Sequence, residues 1–377
     1  MKEVSMMGVL PPMKGLSYYC YALTQAVTKY VDVDFVAFKK LYPSIFYPAG
    51  YEDNSFKMQH NSRLKIRRTI TYYNPISWIK AGFCKNKILH VQWWSSPTAP
   101  IIITILLAAR LAGKKIVLTV HNAEPHEQSW LIRQANNLIL TLPHKLIVHS
   151  QSNKDKIASF YKINAGKIEI VPHMIFEMYE TTTREKALRE LRISKASKVV
   201  LYFGLIREYK GINILIKAFH ELKKKEPKAV LVIAGKLWID WKPYQNLIDS
   251  LGLIDSVKLM LEYVPKDKVK YFFGAADLIV LPYRQFEAQS GVGSVALSYE
   301  KPMIVTNVGG LPEMVKDRRA VVEPGNENQL ADAMVHALTN RNVLKKWQYD
   351  SKKLKKNFSL EEVGKQTVAV YKKLAIL

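Results

Sequence analysis

The sequence predicts an α/β protein of two domains, each built on a parallel sheet. Three observations lead there. Short apolar runs alternate with longer helical stretches along the whole chain. The alternation lapses once, in a charged stretch around Glu177 to Lys195, and then restarts. At 377 residues the chain is long enough for two sizeable cores.

In the first half, strands are expected at Val4 to Val9, Val33 to Phe38, Ile88 to Gln92, Ile116 to Val120 and Lys145 to His149, with another near Lys167 to Val171. The most apolar stretch, Ala99 to Ala112, is interrupted by Arg110 and falls short of the roughly 20 residues that span a bilayer. It reads as a buried helix between two strands. In the second half, strands are expected at Lys198 to Phe203, Val230 to Ala234, Val257 to Leu261, Leu278 to Leu281 and Met303 to Thr306. Helices are expected at Ile212 to Lys223, Tyr244 to Leu251 and Lys266 to Ala275, and a last one near Leu360 to Leu374. The domains are placed at 1–176 and 177–359, with 360–377 as a helix able to pack back on the first domain. Two such sheets leave a cleft, with ligands at the carboxyl ends of the strands.

Composition narrows the function. With 48% hydrophobic residues and no low-complexity tract, the chain is globular. Two cysteines far apart, Cys20 and Cys84, offer neither a disulfide framework nor a cysteine metal site. No signal peptide is read at the start, so a cytoplasmic location is expected, peripheral to the membrane face if the surface is basic enough. The formal net charge of +24 attracts anionic partners. Between Lys57 and Lys87, Arg63, Lys65, Arg67, Arg68, Lys80 and Lys85 are interleaved with Tyr72, Tyr73, Trp78 and Phe83, without one acidic residue. That mixture suits an anionic lipid surface, or equally a solvated face whose aromatics turn inward. Nucleic acid is not expected as a partner, since no recognition motif accompanies the charge.

The chemistry concentrates between Asp277 and Glu313. An apolar strand there stops at Pro282, and a loop follows with Glu287 and the small turn Gln289-Ser290-Gly291-Val292-Gly293, opening a helix. The next strand ends in Gly309-Gly310. Strand end, glycine turn and helix start present bare N–H groups to an anion, here a diphosphate. Upstream, Phe203-Gly204-Leu205-Ile206-Arg207-Glu208-Tyr209-Lys210-Gly211 places two cations three residues apart after a strand. They can hold a diphosphate and neutralise it as a leaving group.

These pieces, with IAGKLW and EYVPKDKVKYFFGAADLIVLPY, resemble in order and spacing the donor half of the retaining GT-B glycosyltransferases of family 4, over nearly the whole second half. The resemblance implies the GT-B fold, two Rossmann-like domains facing a central cleft, and metal-independent transfer of a hexosyl group from a GDP- or UDP-sugar to a lipid-linked or saccharide hydroxyl. It implies no cofactor. It places Arg207 and Lys210 on the diphosphate, Glu287 on the transferred sugar, the N–H groups of Gly291 and Val292 beside Ser290 on the phosphates, and Tyr263, Val264 and Pro265 around the base. The second glutamate of the family's Glu-x7-Glu signature falls on Val295, a departure that leaves ribose contact unassigned.

In the first half, Gly15, in the loop after the first strand, resembles the family's loop near the donor phosphate, where backbone approaches closely. No G-x-G-x-x-G occurs there, which speaks against hydride transfer. His121, directly after a strand, matches the histidine that supports the transferred sugar by backbone or ring. His126 and Glu127 fit the acceptor side. Trp93 and Trp94 form either an acceptor wall or ordinary packing. His149 ends a further strand, and His173 is read as structural. Asp32-Val33-Asp34 has the form of a metal-binding Asp-x-Asp, but sits at the start of an early strand, remote from any phosphate loop. It reads as solvated strand-edge polarity, and no metal is expected. Two other readings share the fold. A non-catalytic glycan- or membrane-binding scaffold draws support from Val295. A sugar-nucleotide epimerase would need a second well-placed carboxylate.

Overall fold

The computed structural model describes residues 3–13, 16–43, 58–59, 61–122, 130–175, 180–286 and 290–375. The chain divides into two compact units, Met1–Met174 with Phe358–Leu377, and Ile175–Asn357.

The first unit carries seven strands: β1 (Glu3–Gly8), β2 (Asp32–Lys40), β3 (Leu64–Thr71), β4 (Ile88–Trp93), β5 (Lys115–Val120), β6 (Lys145–Val148) and β7 (Ile168–Ile170). They form one parallel sheet in the order β3-β2-β1-β4-β5-β6-β7. Its helices are α1 (Ser17–Thr28), α2 (Pro75–Gly82), α3 (Ala99–Leu111), α4 (Trp130–Thr141) and α5 (Gln151–Phe160). The middle strand β4 is buried at every residue, as a parallel strand covered on both faces must be. Asn74 starts α2 by accepting from the Ile76 N–H, with Pro75 at the first helical position. The Ser150 hydroxyl caps α5 in the same way, 3.1 Å from the Asn153 nitrogen.

The sequence pattern predicts no strand between Phe38 and Ile88, yet β3 and α2 lie there. β3 is the edge of the sheet, and its burial alternates between half-buried and exposed over most of its length. Its lysine and arginine content hides the β-pattern, because an edge strand needs only one covered face. Asp32 pairs with Arg63 at 2.6 Å, and Asp34 pairs with Arg67. The Asp-x-Asp run therefore serves strand-edge ion pairing, and part of the basic segment is spent on it.

The second unit carries β8 (Lys198–Phe203), β9 (Ala229–Ala234), β10 (Val257–Met260), β11 (Leu278–Leu281), β12 (Met303–Thr306) and β13 (Val321–Val322). These also form a parallel sheet, in the order β10-β9-β8-β11-β12-β13. Its helices are α6 (Arg184–Glu190), α7 (Ile212–Lys225), α8 (Lys242–Ser250), α9 (Val269–Ala275), α10 (Gly291–Ser298), α11 (Glu327–Thr339) and α12 (Arg341–Asn357). The core sits between the sheet and α7 and α11, with Phe219, Leu222, Leu231, Ile233 and Met334 almost fully buried. Each such side chain contributes about 1.5–3 kcal/mol by leaving water.

The last helix, α13 (Leu360–Ala375), belongs to the first unit. It crosses α1 at Gly364, where a Cβ would lie 2.7 Å from the Ala26 Cβ and 2.9 Å from its backbone. Its Tyr371 is fully buried with its hydroxyl 2.6 Å from His90 Nδ1.

Candidate functional site

In both sheets the strand order reverses once, between β1 and β4 and between β8 and β11. At such a switch point neighbouring loops leave in opposite directions and open a crevice for ligand.

In the second unit the switch point gathers the predicted donor pieces. Gly204 follows β8 with φ +111°, and a Cβ there would meet Val292 Cγ2 at 2.9 Å. The loop after β8 thus lies against the start of α10. Gly211 has φ +69°, and a Cβ on it would sit 2.0 Å from the Pro282 carbonyl oxygen. Only glycine allows this clasp between the Arg207–Lys210 turn and the end of β11. The Arg284 N–H donates to the Tyr209 carbonyl at 2.7 Å and closes it.

Lys210 is buried, an unusual place for a lysine. Its Nζ donates to the Tyr283 hydroxyl at 2.8 Å and sits 3.9 Å from the centre of that ring. Burial first, and the neighbouring Arg207 second, push its pKa down to about 8. The Arg207 guanidinium stacks 4.4 Å from the Trp238 ring. Its Nε is buried without a hydrogen-bond partner among the described residues. Neither cation forms an ion pair among those residues.

Ser290 starts α10, its hydroxyl accepting from the Gly293 N–H at 3.2 Å and lying 3.3 Å from the Tyr283 hydroxyl. The N–H groups of Gly291 and Val292 belong to the first turn, where no intrahelical acceptor exists. Lys210, Tyr283 and Ser290 thus form a line from the loop after β8 to the first turn of α10. Glu287 lies outside the described residues, between Phe286 and Ser290. Val295 is half-buried in the second turn of α10 and brings no carboxylate there. Tyr263, Val264 and Pro265 fall in the loop between β10 and α9, with Tyr263 well exposed and Val264 buried.

Sequence reasoning missed Tyr283 and Trp238. The strand-terminal sequence Leu281-Pro282-Tyr283 was the available signal for the first. Nothing in the spacing marks the second.

In the first unit, polar side chains gather at the strand ends as well. His121 follows β5, and its backbone N–H donates to the Trp93 carbonyl at 3.0 Å. Its Nε2 lies 2.9 Å from the Gln92 amide and its Nδ1 3.2 Å from His149 Nε2. His149 Nδ1 donates to the Val171 carbonyl at 2.9 Å. The Gln92 amide also reaches His90 Nε2 at 3.1 Å, and Thr119 Oγ1 is 2.7 Å from that nitrogen. Tyr19 meets the His121, His149 and His173 rings, centroid to centroid at 4.8, 5.5 and 4.6 Å. Burial pushes His90 and His149 down to about 3 and lowers His121 and His173. All four rings are neutral near pH 7. Trp93 is buried and Trp94 half-buried, the latter 6.2 Å from Phe38. Gly15, His126 and Glu127 lie outside the described residues. No group of histidine, cysteine or carboxylate side chains suited to a metal ion occurs among the described residues.

Two family models match the chain, "Glycosyltransferase Family 4" over residues 13–175 and "Glycosyl transferases group 1" over residues 183–354. The chain belongs to the GT-B glycosyltransferases of family 4. It is 27% identical to the lipopolysaccharide 1,2-N-acetylglucosaminetransferase of Salmonella typhimurium over 62% of this chain and 60% of that protein. A D-inositol 3-phosphate glycosyltransferase of Segniliparus rotundus is 23% identical over 62% of this chain and 54% of its own length. The matches thus span less than two thirds of either relative. Among solved structures, a glycosyltransferase of Rickettsia africae superposes with a TM-score of 0.69 at 17% identity, covering 100% of this chain and 99% of that one. Anabaena HepE in complex with UDP gives 0.70 at 14% identity, covering 99% and 100%. These likenesses establish the fold.

Proposed function

We propose that the protein transfers a hexosyl group from a UDP- or GDP-sugar to a hydroxyl acceptor, with retention at the anomeric carbon and without a metal ion. The observation that carries this is the pair of cations, Arg207 and Lys210, without an ion-pair partner among the described residues, at the switch point beside the first turn of α10. They would take the charge that grows on the departing diphosphate, together with the N–H groups of Gly291 and Val292. Glu287 and His121 are assigned to orient the transferred sugar. The loop at Tyr263 to Pro265 is assigned to the base.

In the proposed step the acceptor oxygen bonds to the anomeric carbon on the face the diphosphate leaves. The carbon–oxygen bond to the diphosphate breaks with its electron pair on the phosphate oxygen, which takes the acceptor's proton. No protein nucleophile is required, so positioning and electrostatics supply the rate. HepE, which has been solved with UDP-glucose, shares the fold and supports a nucleotide-sugar donor.

A lipid-linked acceptor at an anionic membrane is the favoured acceptor class. Ile76, Ile79, Phe83 and Leu111 are exposed on α2 and α3 and their flanks, beside Lys80, Lys85 and Arg110. The two helices pack tightly, a Cβ on Gly82 lying 2.5 Å from the Ala108 Cβ. Apolar side chains rimmed by cations suit the headgroup region. No helix among the described residues is long and apolar enough to cross a membrane.

The test is incubation with a panel of nucleotide sugars and with saccharide and lipid acceptors, following products by NMR. Transfer with an unchanged anomeric configuration, abolished in Arg207→Ala and Glu287→Ala, is expected. Nucleotide binding with neither transfer nor hydrolysis would overturn the reading and favour a non-catalytic scaffold. Co-sedimentation with liposomes should rise with anionic lipid and fall with salt. Binding insensitive to both removes the membrane surface.

A further inference from the structure

Aromatic rings from two loops of the second unit surround Lys210. Its Nζ lies 3.9 Å from the centre of the Tyr283 ring, 5.7 Å from that of Tyr209 and 5.9 Å from that of Phe286. A ring face attracts an ammonium without using its N–H donors. Of the three donors an ammonium carries, the Tyr283 hydroxyl takes one, at 2.8 Å.

The order of hydrogens from here follows from the charged end. A lysine ammonium only donates, so the Tyr283 oxygen accepts from it. Burial pushes the Tyr283 pKa up, and the hydroxyl keeps its own hydrogen. Its other hydrogen-bond partner among the described residues is Ser290 Oγ, at 3.3 Å. Both side chains are buried, and a buried O–H without an acceptor costs as much as a lost hydrogen bond. Tyr283 therefore donates to Ser290. The Ser290 oxygen also accepts from the Gly293 N–H at 3.2 Å, which engages both of its lone pairs. Ser290 is left with its own hydrogen to give, at the start of α10.

The backbone fixes the Tyr283 ring as firmly. Its carbonyl accepts from the Thr306 hydroxyl at the end of β12, at 2.6 Å. The next N–H, that of Arg284, is bound to Tyr209. Lysine has a flexible four-carbon stem, so a fixed partner decides where its charge stands.

We propose that Tyr283 is a positioning residue that pins the Lys210 ammonium and turns the Ser290 hydroxyl outward, so that both offer hydrogens to one diphosphate. The ligand rests on the transferase reading above. The order of the hydrogen bonds does not.

Tyr283→Phe is the test, because it keeps the ring and removes the hydroxyl. The full chain is labelled with 13C,15N-lysine, and Lys210 is assigned by the signal missing from Lys210→Met. In Tyr283→Phe the Lys210 pKa should fall by about one pH unit, since the charged form loses an acceptor. Arg207 and the other neighbours are the same in both proteins, so the difference belongs to the hydroxyl. An unmoved Lys210 overturns the proposal whether or not a nucleotide binds. Calorimetric titration with UDP and GDP gives the second readout, as a double-mutant cycle. Tyr283→Phe should weaken the better-bound diphosphate about tenfold in the wild type. In Lys210→Met, where only Ser290 still depends on Tyr283, it should weaken it about two- to threefold. Equal losses in both backgrounds would mark a merely structural hydroxyl and overturn the proposal. A wild type that binds neither nucleotide defeats the transferase reading, and the lysine titration still decides the positioning. If Tyr283→Phe does not fold, the wild type decides. Its Lys210 ammonium should give a slowly exchanging N–H signal with a cross-peak to the Tyr283 ring, and a freely exchanging ammonium overturns the proposal.

Discussion

The strand ends of the two units are built from the same architecture but handle polarity in opposite ways. In the first unit His90, Gln92, Thr119, His121, His149 and Tyr371 bond to one another, and burial keeps the imidazoles neutral. In the second unit Arg207 and Lys210 keep their charge without an ion-pair partner among the described residues, beside a helix start with open N–H groups. A hydrogen-bonded network of neutral groups costs little and holds a shape. An open pair of cations is destabilising until an anion arrives, which makes it a binding device. The contrast assigns positioning to the first set and charge stabilisation to the second.

The sharpest way to break the contrast is to remove charge from the open site. Lys210→Met should lower kcat/KM for the nucleotide sugar by about 10²–10³-fold, the usual scale for one stabilising group on a developing anion. Steady-state kinetics measure it, and a change below about tenfold would return Lys210 to a structural role.

The pH response comes next. Lys210, with its pKa lowered to about 8, is charged below that value and neutral above it. A diphosphate binds the charged form and raises the pKa, so affinity is level below about pH 7.5. It then weakens by roughly tenfold per pH unit as pH rises past 8. Calorimetric titration across this range checks it. His90 and His149, with pKa values pushed down to about 3, should add no step between about pH 5.5 and 7.

The clasp that brings the open site together is a stability matter. Gly211→Ala forces a Cβ toward the Pro282 carbonyl at a positive φ, and should cost about 1–3 kcal/mol in chemical denaturation. The smallest effect belongs to Trp238→Ala. Losing the stacked ring under Arg207 should raise the donor KM by about two- to fivefold and leave kcat nearly unchanged.

The second unit was the more legible half. Diphosphate chemistry demands glycines, cations and small residues at strand ends, and these lie within a few residues of one another in the sequence. Gly204, Arg207, Lys210 and Ser290 could be named for that reason. Tyr283 could not, because its role depends on Lys210 reaching it across 73 positions of chain. In the first unit the histidines come one per strand end, each separately unremarkable. Only the parallel register, which sets His90 beside Val117 and Gln92 beside Thr119, brings them into one network. The edge strand β3 escaped for a simpler reason: half its side chains face water and are basic. Glu287, the residue the sequence singles out for the sugar, falls between Phe286 and Ser290, outside the described residues.

The account stands most directly on what Arg207 and Lys210 hold. Calorimetric titration should compare UDP and GDP with uridine and guanosine, in the wild type, Arg207→Ala and Lys210→Met. The diphosphates should bind the wild type far more tightly than the nucleosides, and both variants should erase most of that difference while leaving nucleoside affinity intact. Variants that bind the diphosphates as tightly as the wild type would contradict the account.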